Sequence, residues 1–197
     1  RPEAAMIAAC LPNPKEYTIK PMSKQVARRY PWILKQMKNL DGDDDIEEVF
    51  GIRSVLEGYA GYLATTRATE EDLKALEEVV EKEEECLRNN NTEEIVRLNT
   101  EFHDLLYGSA KSTKLYSIIN DLRDYIYRYR IIIFSYSGMA EISIADHKEM
   151  ISLMRAKRAL QVEKLIRKHI IRGKNLIKKK IKRDFAKYGS GQKTVQG

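Results

Sequence analysis

After Pro31 the chain contains no further proline, and from residue 45 to about 187 its apolar residues recur at spacings of three and four. Proline is the residue that most strongly interrupts a helix, and three–four spacing lays apolar side chains along one helical face. The stretch is therefore restricted to a succession of amphipathic helices, and six segments emerge. Residues 45–68 put Ile46, Val49, Ile52, Leu56, Tyr59 and Leu63 on one stripe. Residues 69–89 open with Thr69 as an N-cap, acids in the first turn and Asp72 in the capping-box position. Residues 92–110 start in the same way at Thr92, and residues 112–136 read as one long helix. The fifth segment runs from about Met139 to Lys157 and the sixth from about Ala159 to Tyr188. Short joints between long helices favour antiparallel neighbours. The expected fold class is all-α: an antiparallel bundle of about six helices over residues 45–188, with residues 189–197 as a disordered tail.

Residues 1–44 have another character. They hold all five prolines, the single tryptophan and the strand-like EYTIK at 16–20, and they end in an acidic DGDDD run. So short and irregular a segment cannot build a core of its own. The first residue is arginine, so the expectation is a chain that starts after its natural start, or equally one that has been processed or has further residues before it. No apolar run approaches the roughly 18–20 residues needed to cross a bilayer. Cys10 and Cys86 have no metal-site or disulfide-framework spacing, so the expected compartment is the reducing cytoplasm.

The chain has three histidines, and each sits among apolar residues. His103 follows Asn99 by four residues within the stripe of Leu98, Phe102 and Leu106. His147 lies between Ile144 and Ile151 on the fifth segment. His169 follows Leu165 by four and Ile166 by three on the sixth. Each could be a core histidine satisfied by a carbonyl or a water. Buried apart, however, four polar side chains cost about 1–3 kcal/mol for each one left unpaired. Gathered round one cation, all four are satisfied together. Imidazole nitrogens with an amide oxygen suit a divalent transition metal: zinc or nickel first, iron or manganese as alternatives.

The stretches EVFGIRSVLEGYAGYLATTRATEEDLKALE, NTEFHDLLYGSAKSTKL and HKEMISLMRAKRALQVEKLIRKHI resemble the FCD ligand-sensing domain. That is the C-terminal domain of the FadR branch of GntR-type bacterial transcription regulators. The residues carrying the resemblance are Arg53, Leu56, Glu57, Asn99, Phe102, His103, His147 and His169, and it covers about residues 45–177. It implies a metal held by Asn99, His103, His147 and His169. It also implies a small organic acid effector whose carboxylate meets Arg53, a homodimer, and operator DNA read by an N-terminal domain. Two departures stand out. The first ligand of the family is more often aspartate, and Asn99 leaves one more unit of positive charge on the site. The family's winged helix–turn–helix spans roughly 65–70 residues, whereas 44 precede the bundle here. EYTIKPM would then be a last wing strand and the next stretch a linker helix, with no recognition helix discernible.

The remaining features have plainer readings. The acids at 77–85 read as a solvated helix surface, and the basic run from Arg167 to Lys187 as a solvated face with an apolar stripe behind it. YIYRYRIIIFSY reads as core and dimer surface. The rival classes are a metal-dependent enzyme using the three histidines and a purely structural metal bundle. The chain has no HExxH, no glycine-rich phosphate loop and no evident general base beside the histidines, so no catalytic residue is expected.

Overall fold

In the computed structural model the chain divides into two units, Arg1–Ile46 and Glu47–Gly197. The structure describes residues 43–122, 129–130 and 132–189. The wing and linker expected in residues 1–42, and the tail from 190, lie outside the described residues.

Among the described residues there are six helices: α1 (Asp43–Arg67), α2 (Glu70–Arg88), α3 (Thr92–Ser109), α4 (Thr113–Asp121), α5 (Met139–Arg155) and α6 (Ala159–Gly189). They form the expected all-α antiparallel bundle. Helix α2 packs on α3 and α5, and α5 on α6. Joints of two or three residues force these reversals, and Asn90, Lys111 and Lys157 take positive φ in the joints after α2, α3 and α5. Asparagine tolerates that conformation, whereas lysine there is strained by about 1–2 kcal/mol.

The start of α2 follows its sequence closely. Thr69 accepts from the Asp72 backbone N–H while the Asp72 carboxylate accepts from the Thr69 N–H. The cap of α3 is one residue earlier than the sequence indicated: Asn91, not Thr92, accepts from the Glu94 N–H. The single helix expected over 112–136 is also not observed. Helix α4 is capped at Leu122, after the weak helix formers Asn120 and Asp121, and helical backbone is described again at 129–130 and 132–134.

Helix α1 corrects the sequence reading most. Ile52 is 45% exposed and Tyr59 49%, so of the expected stripe only its ends, Ile46 and Leu63, are buried. The buried face instead carries Phe50, Arg53, Glu57, Ala60 and Ala64. Gly58 and Gly61 on the same face allow α6 to come close. A Cβ on Gly61 would lie 2.1 Å from the Ile166 side chain, and one on Gly58 2.9 Å from that of Arg167. Small residues set this helix contact, and an internal Arg53–Glu57 pair lies beside it; hydrophobicity alone does not reveal such a face.

The core is otherwise apolar, built from Leu76, Leu98, Phe102, Leu106, Met150, Met154 and Ile166. Within it lies a group of buried polar side chains, among them Arg53, Glu57, Glu83, Asn99, His103 and His147.

Candidate metal centre

Three helices deliver the histidines to one place. Their ring centroids are 5.3 Å (His103–His147), 5.4 Å (His103–His169) and 5.6 Å (His147–His169) apart. One ring nitrogen from each lies within 4.8 Å of the other two. His103 and His147 are buried, and His169 stands at the edge. The Phe102 ring lies flat against His147, centroid to centroid 3.8 Å, and fixes its plane.

Every imidazole is anchored through Nδ1. His147 Nδ1 lies 2.9 Å from Glu83 Oε2, and His169 Nδ1 lies 2.8 Å from Asp146 Oδ2. His103 Nδ1 lies 2.9 Å from the Tyr107 hydroxyl. That hydroxyl donates to Glu57 Oε2, so its oxygen accepts from His103 Nδ1–H. Glu57 Oε1 in turn accepts from Arg53 Nε at 2.7 Å. An acceptor at each Nδ1 selects the Nδ1–H tautomer and leaves the Nε2 lone pair for the interior. This donor set fits a divalent transition metal: three neutral imidazoles, each oriented by an oxygen behind it.

Asn99, one turn before His103, reaches the same point. Its amide nitrogen is 3.1 Å from Ser143 Oγ and 3.4 Å from His147 Nε2. A half-turn of the amide exchanges nitrogen for oxygen and presents an oxygen donor there.

Electrostatics disfavour the charged form of His103 and His169. Burial pushes the His103 pKa well below its ordinary value, and the charge of Arg130 adds to the effect. Burial also lowers that of His169, against the opposing hydrogen bond it donates to Asp146. Burial alone would raise the Asp146 pKa, but the bonds from His169 and Arg172 outweigh it and hold the carboxyl down. Burial and the adjoining Glu57 push the Tyr107 hydroxyl well up, so it remains a donor.

Beside the histidines is a cavity of about 40 Å³, lined in part by Arg53, Asn99, His103, Arg130, His169 and Arg172. The lining includes three arginines and no acid.

Arg53 and the four polar residues singled out in the sequence thus lie around one cluster and cavity. Several partners were not anticipated. Glu83 belongs to the run read as solvated, yet it is 0% exposed; its spacing from Leu76 and Val80 puts it on the buried stripe of α2. Asp146 directly precedes His147, and Tyr107 follows His103 by four residues. Arg130 and Arg172 were hidden in the tyrosine-rich and basic runs. Glu83 and Asp146 are carboxylates beside histidines, which the sequence had not revealed, but both are engaged at Nδ1.

A family model described as the FCD domain matches residues 48–172, and the chain belongs to that family. It is 31% identical over 114 residues to the Bacillus subtilis (strain 168) protein described as uncharacterized HTH-type transcriptional regulator YdhC. That match covers 57% of this chain and 51% of the relative, so the chain spans about half the relative's length. The solved structure described as Streptococcus agalactiae GntR superposes with a TM-score of 0.56 at 22% identity. It covers 68% of this chain and 60% of that one, a likeness of fold. A stretch of 48 residues is 42% identical to a biosynthetic peptidoglycan transglycosylase of Escherichia coli (strain ATCC 8739), 24% of this chain and 20% of that protein.

Proposed function

We propose that residues 45–188 form the effector-sensing domain of a GntR-type transcription regulator. In this reading the domain binds one divalent transition metal and a small organic acid, and acid binding controls DNA binding by a cytoplasmic homodimer. The observation that carries the reading is the common anchoring of three imidazoles at Nδ1, which leaves three Nε2 atoms converging. His103, His147 and His169 would hold the ion, zinc or nickel before iron or manganese, with the Asn99 amide oxygen as a fourth donor. When bound, the metal supplies a Lewis acid that draws in and orients a carboxylate.

The chain's own residues do the rest. Arg53 lines the cavity and is steered by Glu57, so its remaining N–H groups are available to the acid. His169 and Arg172 share Asp146, which ties the edge of the cavity to α5 and α6. An acid settling there acts on helices that meet at the site, and their relative placement is the signal passed on. In this reading DNA contact belongs to a helix–turn–helix N-terminal to the bundle; the Bacillus relative is itself described as an HTH-type transcriptional regulator. Turnover is not part of the reading, because Glu83 and Asp146 hold Nδ1–H groups rather than face the cavity as bases. Among the described residues no helix is long and apolar enough to cross a membrane.

The test has two stages. Elemental analysis of the purified protein should find about one transition metal per chain. Metal-loaded protein should then rise in Tm with millimolar acetate, lactate or citrate, as mass action requires. Absence of the metal, or a response to acids that persists in His103→Ala, would refute the reading.

A further inference from the structure

Among the described residues, one cation of the cavity has no partner that balances its charge. Of its three arginines, Arg53 is paired with Glu57 and Arg172 with Asp146. Among the described residues no hydrogen bond or ion pair reaches Arg130, although it is only 7% exposed. Glu57 and Asp104 act on it only through space. Its guanidinium is thus desolvated by the core on one side and open to the cavity on the other.

The charges of the site can be counted from the same contacts. Arg53 and Glu57 cancel, and so do Arg172 and Asp146. Glu83 behind His147 offsets one of the two charges of a divalent ion. Asn99 is neutral where a carboxylate would offset the second. Among the described residues, Arg130 and one charge on the ion remain, an excess of two. A guanidinium sequestered from water is satisfied by a charge-assisted bond to an anion, and a bidentate carboxylate matches its shape.

Building on the acid-sensing proposal, we infer that the effector is a small dianion, most simply a short dicarboxylate. One carboxylate sits at the metal and Arg53, and Arg130 holds the other. Arg130 is accordingly the residue that separates diacids from monoacids. The modest cavity favours a short spacer between the two charges. Ser143 Oγ, also on the lining, offers a hydroxyl for a polar substituent on that spacer.

Pairs of ligands that differ in charge but hardly in shape test this. Zinc-loaded protein is titrated calorimetrically with malonate against its half-amide malonamate, and with succinate against succinamate. The expected result is at least a tenfold preference for the dianion in one pair. In Arg130→Gln that preference should fall to about one, with half-amide affinity retained, while Arg130→Lys keeps part of it. Equal wild-type affinity for diacid and half-amide in both pairs overturns the inference but leaves acid sensing intact. So does an Arg130→Gln variant that binds zinc and keeps the wild-type preference. Zinc binding with no response to any of the four acids overturns both.

Discussion

Two of the histidines are each backed by a carboxylate, yet their surroundings are opposite. His147 and Glu83 both have side chains with no exposure, and Glu83 Oε1 has no hydrogen-bond partner. His169 and Asp146 are 15% and 10% exposed, and Asp146 is shared with Arg172. The inner pair ties α2 to α5 and, among the described residues, has no competing cation. The outer pair ties α5 to α6 and has a competing cation at hand. A buried pair with no alternative partner is costly to disturb in either direction. A shared carboxylate at the edge can shift its allegiance cheaply. The inner pair therefore acts as the fixed wall of the site and the outer pair as its adjustable side. Substitutions on the two sides should differ accordingly.

The largest difference is expected from removing the rings themselves. His147→Ala leaves Glu83 buried and unpaired and opens a cavity against Phe102, so the metal-free protein should lose roughly 3–5 kcal/mol of stability. Metal binding should vanish with it. His169→Ala leaves Asp146 paired with Arg172, and metal-free stability should change by less than about 1 kcal/mol while metal affinity falls. Urea unfolding of both variants, with and without a chelator, measures this. Equal losses would erase the distinction between wall and edge.

A milder probe keeps the rings and changes what stands behind them. Glu83→Gln still offers an oxygen to His147 Nδ1–H but removes the charge, and metal affinity should drop about 10–100-fold. Asp146→Asn should cost less, because His169 lies nearer to water and its anchor is already divided. Competition against a fluorescent chelator gives both affinities. A larger effect at Asp146 than at Glu83 would reverse the assignment.

How much of this was legible in the sequence depends on what each residue depends on. The convergence of the histidines was legible because each ring sits at core spacing on its own helix, and a bundle has one interior. Thr69 and Asp72 were legible because a capping box is local. The buried face of α1 was not, because small residues and an Arg53–Glu57 pair occupy it while Ile52 and Tyr59 lie outside. Glu83 was hidden by its neighbours: in a run of acids only the helical phase distinguishes the one that points inward. Arg130 gave no signal, since its place on the cavity lining is set by the fold and not by any local pattern.

Acid should distinguish the two sides through stability. His103 and His169 have pKa values lowered by burial, so the unfolded chain binds more protons below about 6.5. With more protons on the unfolded side, stability rises with pH. The metal-free protein should therefore lose stability as pH falls from about 6.5 towards the depressed folded values. Most of that slope should come from His103, whose pKa is pushed down furthest and which has no carboxylate at its own Nδ1. His103→Gln should flatten the dependence of Tm on pH more than His169→Gln does. Metal-loaded protein should fall more steeply still, because protons and metal compete for the same nitrogens. Identical slopes in both variants would show that edge and interior titrate alike.

The smallest expected effect controls for a trivial explanation of the Glu83 result. Glu83 lies on α2, so its substitution could weaken the site merely by loosening that helix. Thr69→Ala removes the cap at the far end of α2 and should cost about 1 kcal/mol, or about 2–4 °C in Tm for a domain of this size. Fourteen residues separate Thr69 from Glu83, about 21 Å along a helix, so the lost cap frays a turn remote from His147. Metal affinity should stay within about twofold of wild type, since sites this far apart act independently. If Thr69→Ala lowers metal affinity as much as Glu83→Gln does, α2 contributes general rigidity rather than one placed carboxylate, and the inner wall loses its special standing.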